Sequence, residues 1–207
     1  MKTRLILVRH AEAEGNDKRL FQGWTDGLLT EKGHMQAKVM ADRLQDVDID
    51  LLYSSSLMRT KQTAQYISDA KNLPIIVTDK LREIHGGDWE NEPWSVLPEK
   101  WPEQYEMWEK APHIVQLPNG ESMPEFYNRL VLEIESILEE NEGKNLCIVT
   151  HGTAIRALMC FIKGCPLEEI QSIVWYDNTA ITIADYENGK FEMVCEGDSY
   201  HLGEELC

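Results

Sequence analysis

Two short apolar runs, far apart in the chain, each end in a histidine, and that pairing constrains the fold more than any other feature. Leu5-Ile6-Leu7-Val8 leads into Arg9-His10-Ala11-Glu12, and Leu146-Cys147-Ile148-Val149-Thr150 leads into His151-Gly152. Unbroken apolar runs of this length read as strands buried on both faces. In open α/β sheets, ligands gather just beyond the carboxyl ends of parallel strands. If these two strands are parallel neighbours, their histidines converge. Either histidine alone reads as an ordinary strand-end residue. Two matched exits, each followed by a small residue, predict one shared site.

The stretches between these strands alternate in character. After a polar, glycine-containing loop through Asn16 and Trp24, Thr30 is placed to cap a helix whose apolar positions Ala37, Met40, Ala41 and Leu44 repeat at helical spacing. Leu51-Leu52-Tyr53 reads as a strand and leads through Ser54-Ser55-Ser56 to a helix striped by Leu57, Ala64 and Ile67. Arg59 falls in the first turn of that helix, where a cation opposes the macrodipole. It is either a solvent-facing residue at small cost or a cation held to meet an anion. Pro74 to Val77 reads as a third core strand. Ser122 and Glu125 form a capping box for a long helix, Thr153–Ile162 a further one stopped by Gly164, and Asn188-Gly189 joins two strands as a hairpin. The pattern predicts a three-layer α/β/α sandwich with a mostly parallel central sheet and an antiparallel hairpin near the C-terminus.

From about 88 to 118 the character changes: Trp89, Trp94, Trp101 and Trp108 stand among prolines and glutamates. This segment reads as a small helical lid inserted into a single domain spanning 1–207. Its tryptophans serve either as core aromatics or as walls of a substrate pocket.

Composition excludes several partners. Twenty Lys and Arg against 36 Asp and Glu give a formal net charge of −16, which repels nucleic acid and anionic membranes. Five cysteines without paired spacing, Cys207 being the last, predict no disulfide framework and a reducing, cytoplasmic setting. No apolar segment reaches membrane length, and no leader pattern precedes the first strand. Oligomeric state is not readable from these features.

In so acidic a chain, a local group of cations is informative. The candidates are Arg9, His10, Arg59, Glu83 and His151, with Asn16 as a neutral donor. There is no His-Glu-x-x-His, no Cys-x-x-Cys and no acidic triplet at metal spacing, so no metal is expected. The phosphate-binding loop of nucleotide triphosphatases and the nucleophile elbow of serine hydrolases are also absent. Two arginines and two histidines at strand ends suit a tetrahedral phosphoryl group: arginine offers forked donors, and the helix beginning at Gly152 adds backbone N–H groups. A neutral imidazole there can attack phosphorus.

These residues match a family. Leu7-Val8-Arg9-His10 through Asn16 resembles the Arg-His-Gly signature of the histidine phosphatase superfamily, in its phosphoglycerate-mutase-like branch. The resemblance continues through Gln22-Gly23 with Asp26, Thr30 and Gly33, and through Ser55, Leu57, Arg59 and Thr63-Ala64. Further matches are Leu81-Arg82-Glu83-Ile84, Gly87 with Trp89, Gly120-Glu121-Ser122, Thr150-His151-Gly152 and His201-Leu202. It implies that His10 is the nucleophile and that Arg9, Arg59 and His151 clamp the phosphoryl oxygens. It further implies that Glu83 is the general acid and base and that Asn16, Gln22, Gly23 and Gly152 line the substrate or phosphate site. No cofactor is implied, and the partner is a small phosphorylated substrate. The chain departs from the family pattern where Ala11 replaces glycine and Ala13 replaces a hydroxyl residue, two changes expected to bear on substrate preference.

Mutases of this family resemble one another in carrying an adjacent arginine pair and a tyrosine three residues after the catalytic glutamate. This chain has Gly86 at that place, no adjacent arginines, and a lid whose cations are Lys100 and Lys110. Hydrolysis is therefore the leading expectation, phosphoryl transfer as a phosphoglycerate mutase the alternative, and a non-catalytic phosphoryl-binding scaffold the more distant one.

Overall fold

The computed structural model describes residues 1–206; Cys207, the last residue of the expected domain, lies outside them. In chain order the elements are β1 (Thr3–Arg9), the short α1 (Glu14–Asp17), α2 (Glu31–Arg43), β2 (Leu51–Ser55), α3 (Met58–Lys71) and β3 (Ile75–Thr78). They continue as α4 (Leu97–Lys100), α5 (Pro102–Lys110), α6 (Met123–Glu140), β4 (Asn145–Thr150), α7 (Gly152–Lys163), β5 (Ile181–Glu187) and β6 (Lys190–Asp198). The strands form one sheet in the order β3-β2-β4-β1-β5-β6, parallel from β3 to β1, with β5 and β6 antiparallel.

The alternation of strand side chains builds two cores. Leu5, Leu7, Leu146 and Ile148 pack with α6 and α7 on one face, while Ile6, Val8, Cys147 and Val149 pack with α2 and α3 on the other. All eight are essentially inaccessible to solvent, as central strands covered on both faces require. The expected helix ends form as read: Thr30 Oγ1 accepts from Gly33 N, Ser122 and Glu125 make the reciprocal capping box, and Gly164 takes a left-handed conformation at φ 65°. At the hairpin, Asn188 (φ 53°) and Gly189 (φ 76°) both adopt the positive φ of a type I′ turn, whose twist matches the flanking strands.

One reading needs correcting. The strand Ile75–Thr78 is not core but the edge of the sheet, paired with β2 alone, and Ile76 and Val77 are 38% and 48% exposed. An apolar run does not reveal how many neighbours a strand has. The tryptophan-rich segment carries α4 and α5, and Trp89 and Trp108 are buried in the same core as α6 and α7. Phe21, from the loop after α1, meets Trp89, Trp94 and Trp108 at ring-centroid separations of 5.5, 5.2 and 5.7 Å. Among the described residues no helix is long and apolar enough to cross a membrane.

Candidate active site

The β1–β4 register, with Arg9 opposite Thr150, brings the next residue of each strand together. The rings of His10 and His151 lie 5.3 Å apart, edge to face. Their hydrogen bonds assign opposite tautomers. His10 Nδ1 lies 2.7 Å from the Ala11 carbonyl oxygen, which can only accept, so Nδ1 carries the proton and Nε2 keeps its lone pair. His151 Nδ1 accepts from Arg59 Nε at 3.2 Å, so its proton sits on Nε2, which donates to Ser55 Oγ at 2.8 Å. Burial, and then the nearby Arg59, push both imidazoles well below the usual 6.5, and both are therefore neutral at neutral pH.

The backbone that holds His10 is itself tied down. Its carbonyl accepts from Asn178 Nδ2 at 2.8 Å, and Ala11 N donates to Thr63 Oγ1 at 3.0 Å. Thr179, fully buried and β-branched, adopts φ 61° and donates its N–H to Arg9 O. A side chain of that shape in the left-handed region costs about 1–3 kcal/mol and persists only where its surroundings impose it.

Arg59 is 1% exposed and uses the rest of its fork on the carbonyls of Gly23 (2.7 Å) and Thr25 (2.8 Å). Burial pulls its pKa down to about 10, against the attraction of Glu83, Asp26 and Glu90. The turn-start reading of a solvent-facing arginine is thereby ruled out. Arg9 donates Nη1 to Tyr176 O, while its Nε–H is buried without any partner. Such an orphaned donor on a cation carries a desolvation cost of about 1–3 kcal/mol that an incoming anion would remove. Glu83, part-buried, accepts from Ile84 N and from Thr153 N, each at 2.9 Å, the latter in the first turn of α7. Burial raises its pKa, partly offset by those two N–H donors and by Arg59.

These groups meet at a cleft of roughly 440 Å³. Its inner end is formed by Arg9, His10, Arg59, Glu83, Gly152 and Thr153, with Asn16, Gln22 and Gly23 beside them. Leu20, Phe21, Trp94, Trp108 and Trp175 make an apolar outer wall on which Glu109 is the one charged group. Of the candidate catalytic and phosphate-site residues, all reach the cleft except His151, which is wholly buried beneath it with both ring nitrogens engaged. Ala11 and Ala13 do not line the cleft either. Their methyl groups pack with Leu29 and Ala37 in a small separate cluster, so they contribute to the core rather than to the substrate surface. Asn16 is oriented by accepting Ala13 N at 3.0 Å.

Sequence reasoning gave no role to Ser55, Thr63, Asn178, Trp175 or Glu109. Ser55 and Thr63 stood in the matched pattern. Trp175 and Asn178 lie in a stretch without helical or strand periodicity. Among the described residues, no group of three or more His, Cys, Asp or Glu side chains is placed to hold a metal ion.

Comparison with known proteins finds relatives along nearly the whole chain. The histidine phosphatase superfamily (branch 1) matches residues 5–199. Phosphoserine phosphatase 1 of Hydrogenobacter thermophilus is 35% identical over 201 residues, 97% of this chain and 95% of that protein. The protein named "Probable phosphoglycerate mutase GpmB" of Yersinia pestis is 33% identical, covering 96% of this chain and 94% of its own. Bacillus stearothermophilus YhfR superposes with a TM-score of 0.92 at 34% identity, over 97% of this chain and 99% of its own.

Proposed function

Because the chain belongs to the histidine phosphatase superfamily, branch 1, we propose that it hydrolyses phosphomonoesters through a phosphohistidine formed on His10. The observation that carries this reading is the neutral, Nδ1-protonated His10, its Nε2 lone pair free, beside an Arg9 Nε–H that has no partner. The phosphoryl oxygens are held by Arg9, Arg59 and the backbone N–H groups that open α7. Nε2 of His10 attacks phosphorus in line, the P–O bond to the alcohol breaks, and Glu83 gives its proton to the departing oxygen. Glu83, now a carboxylate, takes a proton from water as that water attacks the phosphohistidine. Phosphate leaves, His10 is restored and Glu83 is again protonated. The raised pKa of Glu83 suits this alternation of acid and base. His151 lies beneath the cleft floor; it supports the clamp by holding Arg59.

The outer wall favours hydrolysis over mutase chemistry. A phosphoglycerate carries a second acid, which would meet Glu109 and indole rings, the nearest cation there, Arg156, being stacked on Trp175 and bonded to the Ile170 and Ile173 carbonyls. The substrates that fit are phosphomonoesters of apolar or aromatic alcohols. The segment 88–118 acts as a lid on a single domain, contributing Trp94, Trp108 and Glu109 to the cleft. A cytoplasmic setting fits the free thiols of Cys147, Cys160, Cys165 and Cys195.

Phosphate release from an aryl phosphate, an alkyl phosphate and 3-phosphoglycerate, measured with a chelator present, tests the proposal. Release that the His10→Ala variant loses, while remaining folded, is the expected result. Conversion of 3-phosphoglycerate to its 2-isomer without phosphate release would replace hydrolysis by the mutase reading.

A further inference from the structure

Glu83 lies in a stretch, 79–87, that has no strand partner, yet its carboxylate must be placed to within a fraction of an ångström to protonate a leaving oxygen. Its carboxylate bonds reach only Ile84 N, which moves with it, and Thr153 N. The backbone of this stretch accepts from Thr150 Oγ1 at Leu81 O and from Trp24 Nε1 at Glu83 O, each at 2.8 Å, and its most extensive support comes from α6. Arg129 donates Nη1 to the carbonyls of Lys80 (2.8 Å) and Arg82 (3.1 Å), and Nη2 to that of Glu83 itself (3.1 Å). Its remaining donors, Nε and the second Nη2 proton, grip the two oxygens of Glu121 at 2.8 Å each. Glu121 in turn accepts His85 N at 2.8 Å and donates its own N–H to His85 O.

Five bonds use all five N–H donors of the guanidinium, a set that no other side chain can supply. The two backbones are in direct contact here: a Cβ on Gly120 would stand 2.3 Å from His85 O, and one on Gly87 2.1 Å from Pro118 O. Arg129 does not line the cleft and does not touch the carboxylate.

We infer that Arg129, braced by Glu121, is a positioning residue for Glu83, fixing the backbone from which the acid reaches the leaving group. This rests on the reading of Glu83 as general acid. The function separates cleanly from bulk stability, because alkyl leaving groups need a well-placed proton donor and aryl ones need it far less.

The test is a double-mutant cycle read on an alkyl and an aryl phosphate, with thermal melts alongside. Arg129→Lys keeps the charge but not the fork. It is expected to lower kcat on the alkyl substrate by about 10²-fold, with KM and aryl turnover nearly unchanged. In a Glu83→Gln background the same substitution should have no further effect, since the group it positions has lost its proton-donating role. Equal slowing of both substrates, or losses that multiply in the double variant, overturns the inference. If Glu83→Gln itself slows both substrates equally, the general-acid reading fails first and takes the inference with it. Should Arg129→Lys not fold, Glu121→Gln loosens only the brace and is expected to show the same alkyl selectivity at smaller size; its absence counts equally against the inference.

Discussion

Acid should destabilise this protein through the same histidine proposed as the nucleophile. His10 and His151 are held neutral in the fold, their pKa values pushed well below 6.5 by burial and by Arg59. In the unfolded chain each takes up a proton as the pH falls through 6.5. Between 6.5 and the depressed folded value, the unfolded state binds more protons, so stability is fully present above 6.5 and is lost as the pH falls. One histidine that stays neutral while its unfolded counterpart titrates contributes about 1.4 kcal/mol per pH unit in that window. From pH 7.5 to 5.5 the pair therefore removes on the order of 2–3 kcal/mol, a large share of a typical margin. His201, lowered by the burial of its ring, acts in the same direction. Glu83 opposes them: its folded pKa is raised, so the stability tied to its protonated form grows as the pH falls toward 4.5. The His10→Ala variant isolates one histidine from all of these. Its lost packing is a constant offset, whereas its lost proton changes the slope. Urea denaturation of both proteins at pH 7.5 and 5.5 should show the parent losing on the order of 1 kcal/mol more than the variant. Equal losses would mean that His10 is already protonated in the fold, with no lone pair on Nε2, and would refute its role as a nucleophile at rest.

Two further substitutions probe the supports of the site. Ser55→Ala removes the acceptor of the His151 Nε2 proton, so the ring is free to change tautomer and release Arg59. Imidazole nitrogen shifts should report the change of tautomer, and kcat should fall by about tenfold, the scale of one lost hydrogen bond of about 1.4 kcal/mol. Arg59→Lys cannot reproduce bonds to Gly23 O, Thr25 O and His151 Nδ1 at once. It should lower kcat by about 10²–10³-fold, as loss of an aligned transition-state donor does. Unchanged turnover in a folded Arg59→Lys protein would show that this arginine is structural alone.

What was legible in the sequence follows from short-range physics. The histidine-bearing strands, the Thr30 and Ser122 caps, the Gly164 stop and the Asn188-Gly189 turn are each set by residues within a few positions of one another. Convergence of His10 with His151 needed one added assumption, that β1 and β4 are parallel neighbours, and their register provides it. What escaped depends on which side a residue faces or on what lies across the fold. Ala11 and Ala13 point into a core cluster because Leu29 and Ala37 arrive from another segment. Ile76 and Val77 are exposed because nothing pairs beyond β3. Asn178 supports His10 across 168 positions of chain, a contact no periodicity encodes. His151 matches the family's phosphoryl clamp in sequence, and in the fold Arg59 and Ser55 engage both its nitrogens while the ring stays outside the cleft lining.

The electrostatics of the molecule divide by distance. A formal charge of −16 would repel a phosphate ester, but surface charges are screened beyond about 8 Å at physiological ionic strength. The guanidinium groups of Arg9 and Arg59 are themselves desolvated by burial, so their attraction for an anion is screened less and is correspondingly larger. Both are held at a cost that burial exacts: the guanidinium of each has its pKa lowered, and Arg9 Nε is left without a partner. A phosphoryl group relieves that cost at the inner end, whereas a second acidic group would extend to a wall whose charged lining residue is Glu109, with Arg156 behind Trp175 already bonded to two carbonyls. The same arrangement that accepts one anion is thus less suited to a second, and what weighs against the mutase reading is energetics at the outer wall rather than any missing part of the proposed catalytic set.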